Sequence, residues 1–165
     1  MRTQHPTGGQ VAFLDELGSA MERTGLPRQA GRVLGLLLSA REDELTADAI
    51  ASALRISRAS VSTTTALLVQ VGLVDRLRRP GDRRDYFRTR PGNLTAMIRA
   101  RIDAIARLRA LLDGALAVTP ASHTAARARL AGVRDFFAFF EKEYPLLFAR
   151  WEEEGRKRTL TESVQ

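Results

Sequence analysis

Apolar residues recur at helical spacing in two short consecutive segments, residues 45–54 and 56–72. Each segment opens with a hydroxyl residue suited to cap a helix, Thr46 in the first and Ser57 in the second. Each also has an apolar pair that can staple its first turn, Leu45 with Ile50 and Ile56 with Val61. Gly72 stands where the second helix would end. About three residues join the two predicted helices, which is the spacing of a helix-turn-helix.

The second predicted helix has a polar outer surface. If Val61, Thr65 and Leu68 face inward, the residues left outside in its first half are Ser57, Arg58, Ala59, Ser60, Ser62 and Thr63. Short hydroxyl side chains allow close approach to phosphates and base edges, and an arginine can bind guanine through two hydrogen bonds. Such residues can also simply cover a solvent face, but "SVSTTT" has poor helix propensity, so stability alone does not account for it. We interpret these six residues as DNA-binding.

After Gly72 the apolar period changes from helical to alternating. The stretches "LVDRLRR" and "RDYFRT" predict two short strands, and "PGD" between them predicts the turn of a β-hairpin. A hairpin directly after a helix-turn-helix is a wing. We expect Arg83 and Arg84 at its tip to reach a minor groove, and Arg78 and Arg79 to neutralise phosphate. Asp82 is expected to hold a neighbouring arginine by a charge-assisted hydrogen bond.

Positive charge is concentrated in the same region. The chain has a net charge of +7, and nine arginines against three aspartates give +6 of it between Arg55 and Arg90. Such a stripe attracts polyanions, with DNA or RNA first among them. A solvated arginine surface is the alternative on charge alone, because 24 of the 26 basic residues are arginine.

These residues resemble a known family. The segments "GLPRQAGRVLGLLL" and "SRASVSTTTALLVQVGLVDRLRRPGDRRDYFR" are similar to the GbsR-type branch of the MarR winged-helix transcriptional regulators, and to related actinobacterial regulators of transporter and efflux genes. The resemblance covers residues 25–91. It implies a homodimeric, ligand-responsive regulator in which residues 58–63 enter the major groove and the wing arginines Arg83 and Arg84 reach the minor groove.

The flanking segments carry apolar stripes that predict dimerisation helices. One stripe runs from Leu94 to Leu116 through Ile98, Ile102, Ile105, Leu108 and Leu112. A second helix, predicted to start at Thr119-Pro120, has a heptad seam of Ala126, Leu130, Val133, Phe137, Phe140 and Tyr144. An N-terminal amphipathic helix, with Val11, Leu14, Leu17 and Met21 on one face, is a further candidate for the same interface.

Seven of the ten aromatic residues lie between Phe136 and Trp151. One interpretation is hydrophobic packing between dimerisation helices. The other is an effector site involving Phe136, Phe140, Tyr144 and Trp151, for an apolar molecule or, by cation–π attraction, a quaternary ammonium. The absence of charged residues from "FFAFF" slightly favours the apolar ligand.

Enzyme, metal and membrane classes find little support. The chain has no cysteine, its two histidines lie far from any carboxylate cluster, and no phosphate loop or Ser-His-Asp pattern occurs, so we expect no catalytic residue, metal or cofactor. No apolar run approaches the roughly 18 residues of a membrane span and no signal peptide is evident, which favours the cytoplasm.

The predicted fold is mainly α with a small β-hairpin wing, a winged helix-turn-helix domain plus a helical dimerisation domain. The expected divisions are an N-terminal helix of the dimerisation region at 10–24, the DNA-binding domain at 25–91, the helical dimerisation domain at 92–158 and a disordered tail at 159–165. The predicted function is sequence-specific regulation of transcription, as a repressor released by a small ligand, by a homodimer on an inverted repeat of double-stranded DNA. The alternative is a winged helix used for nonspecific DNA binding or protein–protein contact.

Overall fold

The computed structural model describes residues 6–162, in which six helices and three short strands are present. The chain divides into two compact units, Met1–Met97 and Ile98–Gln165. The predicted fold class, mainly helical with a small wing, is confirmed. The helices are α1 (Gly8–Arg23), α2 (Arg28–Ser39), α3 (Ala47–Leu54), α4 (Arg58–Gln70), α5 (Pro91–Val118) and α6 (Thr124–Glu162), and the strands are β1 (Leu45–Thr46), β2 (Asp75–Arg78) and β3 (Asp85–Arg88).

The helix-turn-helix of α3 and α4 forms as the local signals predict. The hydroxyl of Thr46 accepts the amide of Ala49, and that of Ser57 accepts the amide of Ser60, so both predicted N-caps are confirmed. Between the helices Arg55 adopts a left-handed conformation with φ 54°. α4 ends at Gln70, and Gly72 follows the C-cap Val71; two backbone hydrogen bonds, Gly72 N to Val69 O and Leu73 N to Leu68 O, form the pattern of a Schellman cap.

The wing is a three-stranded antiparallel sheet in the order β1-β3-β2. Its tip is a turn in which Asp82 N donates to Arg79 O at 3.1 Å, with Pro80 second and Gly81 third at φ +76°. A positive φ at the third position defines a type II turn and favours glycine there. The hairpin prediction is confirmed. The sequence did not indicate β1, which pairs Leu45 with Phe87 and ties the wing to the start of α3.

The first helix packs closely on the second. A side chain added at Gly31 of α2 would lie 2.6 Å from the backbone of Gly18 in α1, so this crossing requires glycine. Leu14 is only 1% exposed, and it lies where a side chain at Gly35 would meet it. Leu14, which we expected at a dimer interface, is therefore buried in the core of its own chain instead. Leu17 is half-buried beside it, while Val11 stays exposed.

The core of the first unit joins the helix-turn-helix to the sheet. It is formed by apolar residues from α1 to α4 and from the sheet region, among them Val33, Ile50, Leu54, Val61, Leu68, Val74 and Phe87. This packing fixes α4 relative to the wing.

The second unit is built from most of α5 and from α6, which run antiparallel. Ion pairs join them along their length, from Arg99 with Glu152 near one end to Arg109 with Glu141 further along. The guanidinium of Arg127 donates to two carbonyls at the end of α5, those of Leu116 and Thr119, both at 2.7 Å. Between residues 98 and 155, the part of this unit whose side chains are described, no residue is fully buried.

Two boundaries in the second unit differ from the expectation. α6 begins at Thr124 and not at Pro120: the Thr119 hydroxyl donates to Ala115 O at the end of α5, and His123 N donates to Pro120 O in the turn between the helices. α6 also continues through Glu162, so the first four residues of the predicted tail are helical; residues 163–165 lie outside the described part of the chain.

Candidate nucleic-acid interface

The exposed face of α4 carries most of the residues predicted to bind DNA. Ser57, Arg58, Ala59, Ser62 and Thr63 are exposed, and Ser60 is half-buried. The predicted inward set of Val61, Thr65 and Leu68 is buried, together with Thr64. The Thr63 hydroxyl donates to Ala59 O at 3.1 Å, which leaves its oxygen able to accept from a partner.

Arg58 has a carboxylate partner that the sequence analysis did not include. Its Nε lies 2.8 Å from Oδ1 of Asp48, which belongs to the first turn of α3. Both side chains remain largely in solvent, with 80% of Arg58 and 56% of Asp48 exposed. The pair thus spans the two helices of the motif at the surface.

Asp82 holds Arg84, as predicted. Its carboxylate accepts the backbone N–H of Arg84 at 2.9 Å, Nε at 3.0 Å and Nη2 at 2.7 Å. It also accepts the hydroxyl of Tyr86 at 2.7 Å. Four donors therefore converge on one carboxylate and fix the direction of the wing tip.

The other three wing arginines predicted to bind DNA, namely Arg78, Arg79 and Arg83, differ in their partners. Arg79 pairs with Glu44, and its guanidinium lies over the ring of Tyr86 at 4.3 Å from the centroid. Arg78 shares the carboxylate of Asp85 with Arg76. Arg83 is exposed, and no ion pair to it is found in the described part of the chain. Arg83 is thus a wing-tip arginine with its charge uncompensated by a neighbour.

Hydrogen bonds and ion pairs lower the pKa values of the wing carboxylates and raise that of Tyr86. The Arg84 side chain holds the pKa of Asp82 far below its usual range, and the Arg76 hydrogen bond lowers the pKa of Asp85. The hydrogen bond from Asn93 lowers the pKa of Asp75. The Asp82 carboxylate in turn raises the pKa of Tyr86. At neutral pH the carboxylates are therefore ionised, and Tyr86 is a neutral donor.

The fold reduces the charge of the basic stripe. It brings Glu44 and Asp48 beside Arg79 and Arg58, so the region from Glu44 to Arg90 has nine arginines against five carboxylates, a net of +4. Sequence reasoning missed Glu44, Asp48, Arg76 and Tyr86 as parts of this surface. Glu44 and Asp48 were not predicted because they precede the arginine-rich stretch that marked the region.

The aromatic residues considered for an effector site lie along α6. Phe136 is 57% exposed and packs edge-on against Phe140, with the ring centroids 4.6 Å apart. Phe140 and Tyr144 are half-buried with centroids 5.4 Å apart, and Trp151 is exposed. A groove of about 630 Å³ between α5 and α6 is lined by different residues: Arg109, Asp113, Arg134, Asp135, Ala138, Glu141 and Lys142. Its walls are charged, unlike the aromatic walls expected for an effector.

The predicted dimerisation residues of the second unit are incompletely covered. Ile98, Ile105, Leu112, Leu130, Phe137, Phe140 and Tyr144 are all half-buried, and Val133 is exposed. Additional large apolar side chains of α6, namely Phe136, Phe139, Leu146 and Leu147, are also exposed.

Within residues 6–162 no group of three or more histidine or acidic residues could hold a metal ion. Over the same residues, no helix is long and apolar enough to cross a membrane.

Comparisons with known proteins agree with this geometry. Residues 24–85 match a model of the MarR family, and residues 92–154 match one described as an MmpR5-like MarR family transcriptional regulator. The chain is 37% identical over 131 residues to the HTH-type transcriptional regulator MmpR5 of Mycobacterium tuberculosis, covering 79% of each protein. A crystal structure of a transcriptional regulator superposes with a TM-score of 0.77 at 34% identity, covering 88% of this chain and 99% of that one.

Fold, interface and relatives together define a DNA-binding, winged helix-turn-helix transcriptional regulator. The chain belongs to the MarR family, and within it is similar to MmpR5. Both of these relatives are described as transcriptional regulators.

Proposed function

We propose that the protein is a repressor that binds an inverted-repeat operator as a homodimer and is released by a small molecule. The main observation that supports this proposal is the exposed polar face of α4, which lies beside an arginine-rich wing in the same compact unit. A helix-turn-helix dimer places two such helices in successive major grooves about 10 base pairs apart. The cytoplasm, where the DNA would be met, is the proposed location.

In this proposal the two parts of the interface have different tasks. α4 enters the major groove, where Arg58 reads a guanine and the hydroxyls of residues 57–63 approach bases and phosphates. Arg84, aimed by Asp82, and the unpaired Arg83 reach the adjacent minor groove, which attracts arginine most strongly where it is narrow. Arg78 and Arg79 lie further back on the hairpin and neutralise phosphate.

The exposed apolar surface of the second unit supports the homodimer. In this helix pair no residue between 98 and 155 is fully buried, while Val133, Phe136 and Phe139 are exposed, so this stretch lacks the core that a folded helical unit needs. A second copy of the same helices supplies that core in our proposal. Leu17, Ile98, Ile105 and Leu112 remain in the proposed interface, whereas Leu14 is occupied within its own chain.

The effector in this proposal is apolar or carries a quaternary ammonium group. The supporting observation is the run of aromatic rings on α6, because aromatic faces bind both classes. Thermal-shift measurements with both classes of ligand test it, and no stabilisation by either leaves the rings as packing.

A closer relation to the GbsR-type branch also stays a prediction, since the matching models are of the MarR family and its MmpR5-like members.

Selection of binding sites from random duplex DNA tests the proposed function. We expect one enriched inverted repeat whose half-sites are one helical turn apart. Arg58→Ala should relax the preference at one base position per half-site, whereas Arg83→Ala should weaken all sequences and lower the salt dependence. Arg107→Ala, which removes an exposed arginine of α5, is the matched control and should change neither. Enrichment of no sequence by the wild type would overturn the proposal.

A further inference from the structure

Asp48 lies at the base of the surface that would face DNA. It stands in the first turn of α3, and its carboxylate contacts Nε of Arg58 at 2.8 Å. Its charge also reaches the wing: Asp82 is the main cause of the raised pKa of Arg84, and Asp48 adds a smaller effect. One carboxylate thus acts on an arginine of α4 and on an arginine of the wing.

The contact with Nε leaves part of the guanidinium open. The ion pair with Asp48 involves Nε, so the end edge of the guanidinium, formed by Nη1 and Nη2, can still donate two hydrogen bonds. In the major groove a guanine presents two acceptors, O6 and N7, which two parallel donors can bind. Asp82 holds Arg84 more firmly, through hydrogen bonds from both Nε and Nη2.

The charge of Asp48 also affects contacts with phosphate. An exposed carboxylate beside α4 repels the DNA backbone and competes with phosphate for Arg58. A guanine is not repelled, because it offers neutral acceptors to the open end of the guanidinium. The carboxylate therefore penalises a phosphate-bound Arg58 more than a base-bound one.

We propose that Asp48 is a specificity-determining residue, which positions Arg58 for a base edge and disfavours its use on phosphate. The proposal rests on the proposed function, in which α4 reads DNA. In this proposal an acidic side chain that does not itself contact a base favours the selected site over other DNA.

The test compares two affinities for each variant, that for the site selected by the wild type and that for a scrambled duplex of equal length. Asp48→Asn should raise affinity for the scrambled duplex about threefold to tenfold and steepen its salt slope by about one unit, since Arg58 becomes free to bind phosphate. Affinity for the selected site should rise less or fall. The ratio of the two affinities therefore drops.

Two further variants separate positioning from simple charge removal. Asp43→Asn, an exposed carboxylate in the loop before β1, should leave the ratio unchanged. In an Arg58→Ala background, Asp48→Asn should also leave it unchanged, because the residue it positions is gone. Thermal unfolding of Asp48→Asn checks that the fold is retained.

An equal rise in both affinities for Asp48→Asn would overturn the inference and reduce Asp48 to a repulsive charge. A wild type that shows no preference for any duplex would overturn the proposed function instead. The two failures are thus distinguishable in the same experiment.

Discussion

Asp82 binds Arg84 twice, through the backbone N–H and through the guanidinium, while it also accepts the hydroxyl of Tyr86. The carboxylate is placed in a basic wing, where a negative charge by itself opposes DNA binding. Its geometry indicates the opposite effect, because an arginine held in one direction loses less conformational entropy when it binds.

The first prediction is that Asp82→Asn weakens DNA binding although it removes a negative charge. The amide keeps the size of the side chain but loses the charge-assisted hydrogen bonds that aim Arg84. We expect affinity for the selected site to fall about threefold to tenfold, which corresponds to the net free energy of about one hydrogen bond. Fluorescence anisotropy at constant salt measures it, with Asp43→Asn as the control for charge. A gain in affinity equal to that of the control would contradict the prediction.

The second prediction concerns pH. Arg76 holds the pKa of Asp85 below its ordinary value of 3.8, so ionised Asp85 stabilises the folded state at all pH values above that value. This contribution is lost only as pH falls through the lowered pKa of the folded state. The difference in melting temperature between the wild type and Asp85→Asn should therefore be constant from pH 8 to 5 and shrink below about pH 4. If the difference in melting temperature changed between pH 8 and 6, a group other than Asp85 would be responsible for its pH dependence.

Local signals in the sequence were enough for the DNA-binding motif. The caps at Thr46 and Ser57, the Gly72 that follows the end of α4 and the Pro80-Gly81 turn each depend on residues within a few positions. Such interactions are encoded by residue type and spacing, so they can be read without tertiary structure. β1 was not predicted because its two residues are too few to show the alternating apolar pattern of a strand.

Long-range pairing and burial could not be predicted in the same way. Arg79 finds Glu44 across 35 residues, and no periodicity indicates that partner. The apolar stripe that includes Leu14 looks the same whether it packs on its own chain or on another. Thr119 satisfied the rule for a helix start, but the chain first makes a turn in which His123 N donates to Pro120 O, and α6 begins only at Thr124.

The third prediction is that Gly31→Ala destabilises the first unit. The new methyl group would lie 2.6 Å from Gly18 Cα and from Leu17 O, both backbone atoms that cannot give way cheaply. Overpacking of this kind costs about 1–3 kcal/mol in the free energy of unfolding. Gly9→Ala in α1 meets nothing within 4 Å and should be neutral or slightly stabilising. Urea denaturation compares the two, and equal stability would contradict the close crossing.

The fourth prediction separates the two tasks of Ser57. Ser57→Ala removes the cap of α4 and should cost about 1 kcal/mol of stability, whereas Ser57→Asp keeps an acceptor at the cap and should cost little. Ser57→Asp should nevertheless weaken DNA binding, because its charge faces phosphate. Thr7→Asp makes the same change at the cap of α1 and should leave DNA binding intact. Normal DNA affinity of Ser57→Asp would remove Ser57 from the interface.

The fifth prediction is that α6 holds the dimer together. Phe136 and Phe139 are 57% and 59% exposed, and burial of a phenylalanine contributes roughly 1.5–3 kcal/mol, so the double change to serine should weaken dimerisation at least about tenfold. Sedimentation equilibrium measures the dissociation constant, with Leu38→Ser in α2, a residue 57% exposed, as the control. Because one subunit can contact only one half-site, specific DNA binding should be lost at concentrations where the variant is monomeric. A double variant that stays dimeric would place the interface elsewhere, and a proven monomer that kept the wild-type footprint would show that dimerisation is not needed for recognition.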